Sequence, residues 1–228
     1  MSAADFQTSL DLGDREAVAD LRTFLARARA VDSGGAVRLQ TVGQVLAAYV
    51  CVLSPRALGE ATPTVLGMRA IPLARPADVD ATVSMASVAD RLARMGDDET
   101  LLDVPPSSVH VAWAAVSPPR GPWAPAGDVS SDVLAAAAAE GMARVASLVP
   151  EQPGQAMVDG ARATVWGSEV DGVEGVPSGA AFAAEALGFL VPGDTMRLFA
   201  SGAWVRLSSP RGHVLCRVPR ARAAKFGS

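Results

Sequence analysis

Apolar residues recur along this chain at two spacings, one typical of helices and one typical of strands. Between residues 14 and 30, Val18, Leu21, Leu25 and Ala28 follow one another at three or four positions, which predicts an amphipathic helix. Further helices are expected over residues 86–94, 128–148, 155–168 and 178–190, although Gly160 weakens the third of these.

Apolar runs bounded by proline and glycine predict strands, because proline has no N–H for the ladder and ends a run. These runs cover residues 36–42, 44–53, 64–73, 80–84, 109–114, 195–200, 203–208 and 213–218. Residues 95–106 are expected to form a loop, and the proline-rich stretch from Ser117 to Gly127 a linker.

The end of the chain repeats a pattern found near its start. Val37-Arg38-Leu39, Gly43 and Ser54-Pro55-Arg56 are matched by Met196-Arg197-Leu198, Gly202 and Ser209-Pro210-Arg211, with four residues fewer in the second copy. In each copy an apolar run separates the glycine from the Ser-Pro-Arg triplet, and a third apolar run follows it. The repeat therefore predicts two related three-stranded units.

The order of elements predicts an α+β protein in which two related three-stranded antiparallel units form a pseudo-repeat, with helices packed on one face. We expect an N-terminal α+β unit over residues 1–124. Residues 125–228 are expected to add a helical segment and the second β unit, and the two parts can also form one continuous domain. Regular βαβ alternation is not seen, which argues against a Rossmann fold or an α/β barrel.

Composition narrows the functional classes. The chain has 228 residues, is 50% hydrophobic and carries a formal net charge of −4, which argues against a nucleic-acid partner. The N-terminus is polar and has no apolar signal segment, and no apolar window resembles a membrane span. Two cysteines, Cys51 and Cys216, do not make a disulfide framework, so both are expected to be buried free thiols in a cytoplasmic protein.

Three strand-like runs end in Ser-Pro-Arg or Ser-Pro-Pro-Arg turns, which place Arg56, Arg120 and Arg211 at strand ends. If these turns lie at one end of a sheet, the arginines converge beside Trp123 and His213. Arginine forks bind carboxylate or phosphate groups, and tryptophan adds a stacking surface. These five residues are the candidate ligand-binding site, and an anionic small molecule is the candidate ligand. The alternative is that each turn simply ends a strand and its arginine is solvated.

Other chemistries have weaker signals. A metal site built from Cys51, His110, His213 and Cys216 would need residues from separate strands, and the sequence predicts neither a metal nor a cofactor. Gly172, Gly175 and Gly179 resemble a phosphate-binding turn, but neighbouring carboxylates would repel phosphate. No G-x-S-x-G elbow is present, and no catalytic residue is assigned.

The segments Trp113–Trp123 and Pro177–Leu190, together with Arg211-Gly212-His213-Val214-Leu215, resemble stretches of an uncharacterised family of proteins from GC-rich actinobacteria. The resemblance implies no activity and no catalytic residues.

The function expected from the sequence is that of a cytoplasmic, non-catalytic binding or interaction protein that forms a homodimer. One alternative is a small enzyme that binds an anionic metabolite through the arginine turns and uses His213 or His110 as acid or base. A second alternative is a nucleic-acid-associated regulator that uses the basic C-terminal tail containing Arg220, Arg222 and Lys225.

Overall fold

The computed structural model describes residues 9–56, 62–150 and 154–217, which divide into two compact units. The first unit comprises Met1–Val50 and Met68–Ala115, and the second comprises Cys51–Gly67 and Val116–Ser228. The basic C-terminal tail lies outside the described residues. The domain boundary expected between residues 124 and 125 stays a prediction.

The described residues of the first unit contain two α-helices and the strands around them. Its elements are β1 (Ser9–Asp11), α1 (Arg15–Val31), β2 (Ala36–Val42), β3 (Val45–Leu53), β4 (Thr64–Pro72), β5 (Asp80–Ser84), α2 (Met85–Arg94) and β6 (Leu101–Asp103). Strands β3 and β4 each continue into the second unit. The Asp14 carboxylate caps α1 by accepting a hydrogen bond from the Ala17 amide at 2.8 Å.

The second unit contains the remaining helices and strands. Its elements are β7 (Ala124–Ser130), α3 (Ser131–Leu148), α4 (Gln155–Gly167), β8 (Glu169–Val170), β9 (Val173–Pro177), α5 (Ser178–Ala186), β10 (Thr195–Ser201), β11 (Trp204–Ser209) and β12 (Gly212–Arg217).

The two units repeat one topology, so the predicted α+β pseudo-repeat is confirmed. In the first unit the strand order is β5-β2-β3-β4, and in the second it is β7-β10-β11-β12. Each unit thus has a meander of three consecutive strands, and the first strand of the meander pairs antiparallel with an edge strand. Each edge strand then leads directly into a helix, β5 into α2 and β7 into α3.

The core lies between the helices and one face of the strands. Burial alternates strictly along β3, where Leu46, Ala48, Val50 and Val52 point inward. In the second unit α5 packs against α3 and β12, and its small residues Ala180 and Ala184 are fully buried there.

Two sequence predictions in residues 109–127 were wrong. Residues 109–114 do not form a strand: a single bridge joins Ser108 to Val83, and a 3₁₀ helix follows over Ala112–Ala115. The Ala114 amide bonds to the Val111 carbonyl, and this local turn competes with a ladder. The last part of the expected linker forms strand β7 instead. The sequence did not predict this strand because its proline and glycine are typical of loops.

Three smaller differences concern helix ends and a thiol. Helix α3 begins at Ser131 because Ser130 provides the cap, and α5 ends at Ala186 rather than near residue 190. Both cysteines are free and Cys216 is buried, as predicted, and burial raises the pKa of its thiol. Cys51 is only half-buried, because it lies on the face of β3 opposite the core.

Candidate functional site

The strands of the second unit have an outer face, opposite the buried one, whose side chains form rows across the strands. Register places Arg197 beside Ser208 and Ser208 beside His213 in one row. The next row contains Phe199, Arg206 and the buried Leu215, and the third contains Ser201, the buried Trp204 and the exposed Arg217. Residues directly opposite each other on neighbouring strands have Cβ atoms about 5 Å apart, so the side chains of a row are neighbours.

The middle of this face is an arginine–aromatic cluster formed by Trp123, Arg197, Phe199 and Arg206. The Arg206 guanidinium carbon lies 4.6 Å from the centroid of the Trp123 ring and 4.5 Å from that of Phe199. The Arg197 guanidinium carbon lies 5.1 Å from the Phe199 centroid. Each contact is within the roughly 6 Å limit of a cation–π interaction. The two rings therefore fix the position of Arg206 without neutralising its charge.

Arg206 is electrostatically unusual among the described residues. Burial and then the nearby charge of Arg197 lower the pKa of its guanidinium. Its Nε atom is buried and has no hydrogen-bond partner in the described part of the chain. Neither Arg197 nor Arg206 forms an ion pair with a carboxylate of the described residues, although the exposed Asp128 is the register partner of Arg197. The cluster thus holds two cations close together.

The equivalent arginine of the first unit is neutralised. Arg38 occupies the position in the repeat that Arg197 occupies in the second unit. Its Nε and Nη2 atoms each donate to a different oxygen of Asp80, both at 2.8 Å, and its Nη1 donates to the Ala114 carbonyl at 3.0 Å. The Asp80 hydrogen bond is the main cause that raises the pKa of Arg38. The two units therefore share an arginine on the outer side of the meander, but only the arginine of the first unit is hydrogen-bonded to a carboxylate of the described residues.

Beside the cluster, the row of Arg197 carries a polar pair. Ser208 Oγ and His213 Nδ1 lie 2.9 Å apart and form a hydrogen bond between β11 and β12. Both residues are half-buried. This pair extends the polar part of the outer face from β10 to β12.

The five residues expected to form a ligand site occupy different environments. Trp123 is part of the cluster and His213 lies on the outer face, with the Trp123 Nε1 donating to the Pro119 carbonyl at 3.2 Å. Arg56 forms an ion pair with Asp159 at 2.6 Å. Arg120 is exposed, and the exposed Arg211 lies in the turn between β11 and β12, where its amide bonds to Ser209 Oγ at 3.2 Å.

Sequence reasoning did not single out Arg197, Phe199 or Arg206. An available signal was their alternation with the buried Leu198 and Leu207, which places them on the polar side of two consecutive strands. Their mutual contacts depend on the register between β10 and β11, which the sequence did not define.

Two surface pockets lie elsewhere and contain none of the five expected residues. One, of about 670 Å³, lies beside α1 and is lined by Arg15, Arg22 and Glu99. The other, of about 440 Å³, lies beside α3 and is lined by Glu140, Arg144 and Asp171. Among the described residues, no group of three or more His, Cys, Asp or Glu side chains is placed to hold a metal ion. None of the helices in the described ranges combines the length and apolar character needed to cross a membrane.

Structural comparison aligns the chain with solved structures of sliding clamps at low sequence identity. The DNA polymerase sliding clamp from Pseudomonas aeruginosa aligns with a TM-score of 0.47 at 12% sequence identity, over 93% of this chain and 64% of that chain. The beta sliding clamp from Caulobacter crescentus aligns with a TM-score of 0.46 at 12% identity, over 92% of this chain and 64% of that chain. The chain thus spans 64% of the length of these two clamps.

Sequence comparison adds two matches and no activity. No curated protein matches the chain. Residues 6–115 match the family model of a domain of unknown function, DUF8010, and residues 118–221 match that of a second one, DUF8185.

Proposed function

We propose that this protein is a non-catalytic interaction protein that binds an acidic partner through the arginine–aromatic cluster of its second unit. The observation that carries the proposal is the position of Arg206 between the rings of Trp123 and Phe199, with Arg197 beside it. Two cations at short range repel each other, and an incoming carboxylate or phosphate relieves that repulsion.

The geometry favours binding because Arg206 is already ordered in the free protein. An arginine loses side-chain entropy when it is fixed on a ligand, and here the rings hold Arg206 in place beforehand. A charge-assisted hydrogen bond contributes roughly 1.5–3 kcal/mol when it is shielded from water. The first unit differs in a way that supports the proposal. Its Arg38, which is equivalent to Arg197, is already hydrogen-bonded to Asp80 and is therefore not available to an acidic partner.

The small-enzyme alternative has less support. Its proposed acid or base, His213, lies on the outer face of the strands and is hydrogen-bonded to Ser208. Neither of the two pockets described above includes it. Arg120 and Arg211, which are exposed, stay candidates for additional anion contacts, and their proximity to one another stays a prediction.

The test is equilibrium binding of a fluorescein-labelled, glutamate-rich peptide, followed by anisotropy at low and physiological salt. We expect saturable binding that Arg197→Gln combined with Arg206→Gln weakens at least about tenfold, since one lost charge-assisted contact corresponds to that factor. The matched control combines Arg29→Gln with Arg144→Gln, which removes the same charge from exposed helical positions. Equal weakening by both pairs would show that only net charge matters and would overturn the proposal.

A further inference from the structure

We infer that the acidic partner is an extended peptide segment with carboxylates at alternate positions, lying obliquely across β10, β11 and β12. The inference rests on the proposed function and specifies its ligand. It follows from the placement of three arginines, Arg197, Arg206 and Arg217, one on each of the three strands.

The three arginines fall on a diagonal of the outer face. Arg197 lies in the first row on β10, Arg206 in the second row on β11, and Arg217 in the third row on β12. Neighbouring strands are about 4.8 Å apart, and successive same-face residues of one strand are about 6.8 Å apart, so each diagonal step is about 8 Å. Same-face side chains of an extended peptide are separated by nearly the same distance, about 6.8 Å. The flexible stems of Arg197 and Arg217, both exposed, can cover the difference.

The charges around the diagonal limit where the segment lies. Asp128 is the register partner of Arg197 on β7, so a carboxylate displaced toward β7 meets a like charge. On the β12 side, the exposed Arg217 offers further donors. The acidic segment is therefore expected to run from Arg197 toward β12 and not along β7.

A peptide fits this face better than a single-stranded nucleic acid. Bases would need open aromatic surfaces for stacking, whereas Arg206 already lies against the rings of both Trp123 and Phe199.

The test compares two labelled peptides of identical composition, one with glutamate and serine alternating and one with the glutamates in a single block. We expect the alternating peptide to bind at least about tenfold more tightly, the effect of one well-formed charge-assisted contact. Arg217→Gln is expected to remove most of this preference, while Arg29→Gln leaves it unchanged. A far-ultraviolet circular dichroism spectrum and an unfolding curve check that each variant is folded.

The outcomes separate this inference from the proposed function. Equal binding of the two peptides, still sensitive to Arg197 and Arg206, would overturn the alternating arrangement and leave the acid-binding face intact. No binding of either peptide would overturn both. Tighter binding of an oligothymidylate than of the alternating peptide would replace the peptide by a nucleic acid, and equal competition by inorganic phosphate would reduce the site to a simple anion site.

Discussion

Gly141 has the closest packing requirement of any helical glycine described. A Cβ atom at this position in α3 would meet the ring of Trp166, which is buried on α4 and stacks on Phe182 with ring centroids 4.6 Å apart. Glycine is a poor helix former, so its presence in mid-helix needs a reason, and the approach of the tryptophan supplies one. The contact between Gly141 and Trp166 therefore fixes the distance between the two helices.

We expect Gly141→Ala to lower the free energy of unfolding by about 1–3 kcal/mol, because the added methyl group displaces the Trp166 ring in a packed core. Gly160→Ala is the matched control, since Gly160 in α4 has open space where a Cβ would lie. Gly160→Ala should raise the free energy of unfolding by about 0.5–1 kcal/mol, because alanine has a higher helix propensity than glycine. Urea unfolding of both variants measures the difference, and a stabilised Gly141→Ala would contradict the packing described here.

At the residue scale, the sequence shows which side chains could bind an anion, but it does not show which of them lie close together in the fold. Ser-Pro-Arg turns are visible because proline and serine have local preferences, and they drew attention to Arg56, Arg120 and Arg211. No local sequence motif distinguishes Arg206. Trp123 precedes it by more than eighty positions, and the two side chains are in contact only because β7 and β11 both flank β10. Which charges lack a partner is likewise a property of the folded chain.

At the element scale, the two meanders share a hairpin turn built on glycine. Gly43 and Gly202 take the first position of the two-residue turns between β2 and β3 and between β10 and β11, with φ of 59° and 56°. Positive φ at this position suits the right-handed twist of the strands, and only glycine adopts it without strain. The repeated glycine in the sequence is therefore explained by the turn.

Replacing either glycine with alanine is expected to cost about 1–2 kcal/mol of unfolding free energy, the cost of a left-handed conformation for a residue with a Cβ. The control is Gly96→Ala, in a loop where φ is not positive and the space is open. That change should be neutral or slightly stabilising, because it reduces the entropy of the unfolded chain. Thermal or urea unfolding that ranks Gly96→Ala as the most damaging of the three would refute this account.

Elements with regular apolar spacing were predictable, and those without it were not. The α-helices of the described ranges and both meanders follow the three-to-four and alternate patterns, because each must bury one side in the core. The short strands β1, β6, β8 and β9 have only two to five residues, too few to show a period. Strand β7 is an exposed edge containing Pro125 and Gly127, so its sequence has the composition of a loop.

At the scale of the whole molecule, the repeat has kept its topology while its surface chemistry has diverged. Both units place an arginine on the outer side of the first meander strand, but Arg38 of the first unit is hydrogen-bonded to Asp80, whereas Arg197 of the second unit lies against the Phe199 ring. A shared backbone thus carries an arginine bonded to a carboxylate in one unit and an arginine beside an aromatic ring in the other. The proposed site for an acidic partner therefore depends on the side chains of the second unit, and not on the repeated topology as such.

The helix α3 has an apolar stripe that is covered for only part of its length. Leu134 and Ala138 on this stripe are buried, whereas Met142 and Leu148, which continue it, are 45% and 47% exposed. A continuous apolar stripe that loses its cover half-way along a helix is typical of an association surface. The expected homodimer would cover this second half of α3.

We therefore predict that the protein is a dimer at tens of micromolar concentration, and that Met142→Glu combined with Leu148→Glu makes it monomeric, because a buried interface does not tolerate unpaired carboxylates. Sedimentation equilibrium across this concentration range measures the change. The control is Ala143→Glu, which adds a carboxylate at an exposed position on the opposite side of the same helix. A wild-type protein that sediments as a monomer would rule out the dimer, and dissociation by Ala143→Glu to the same extent would place the interface away from the stripe.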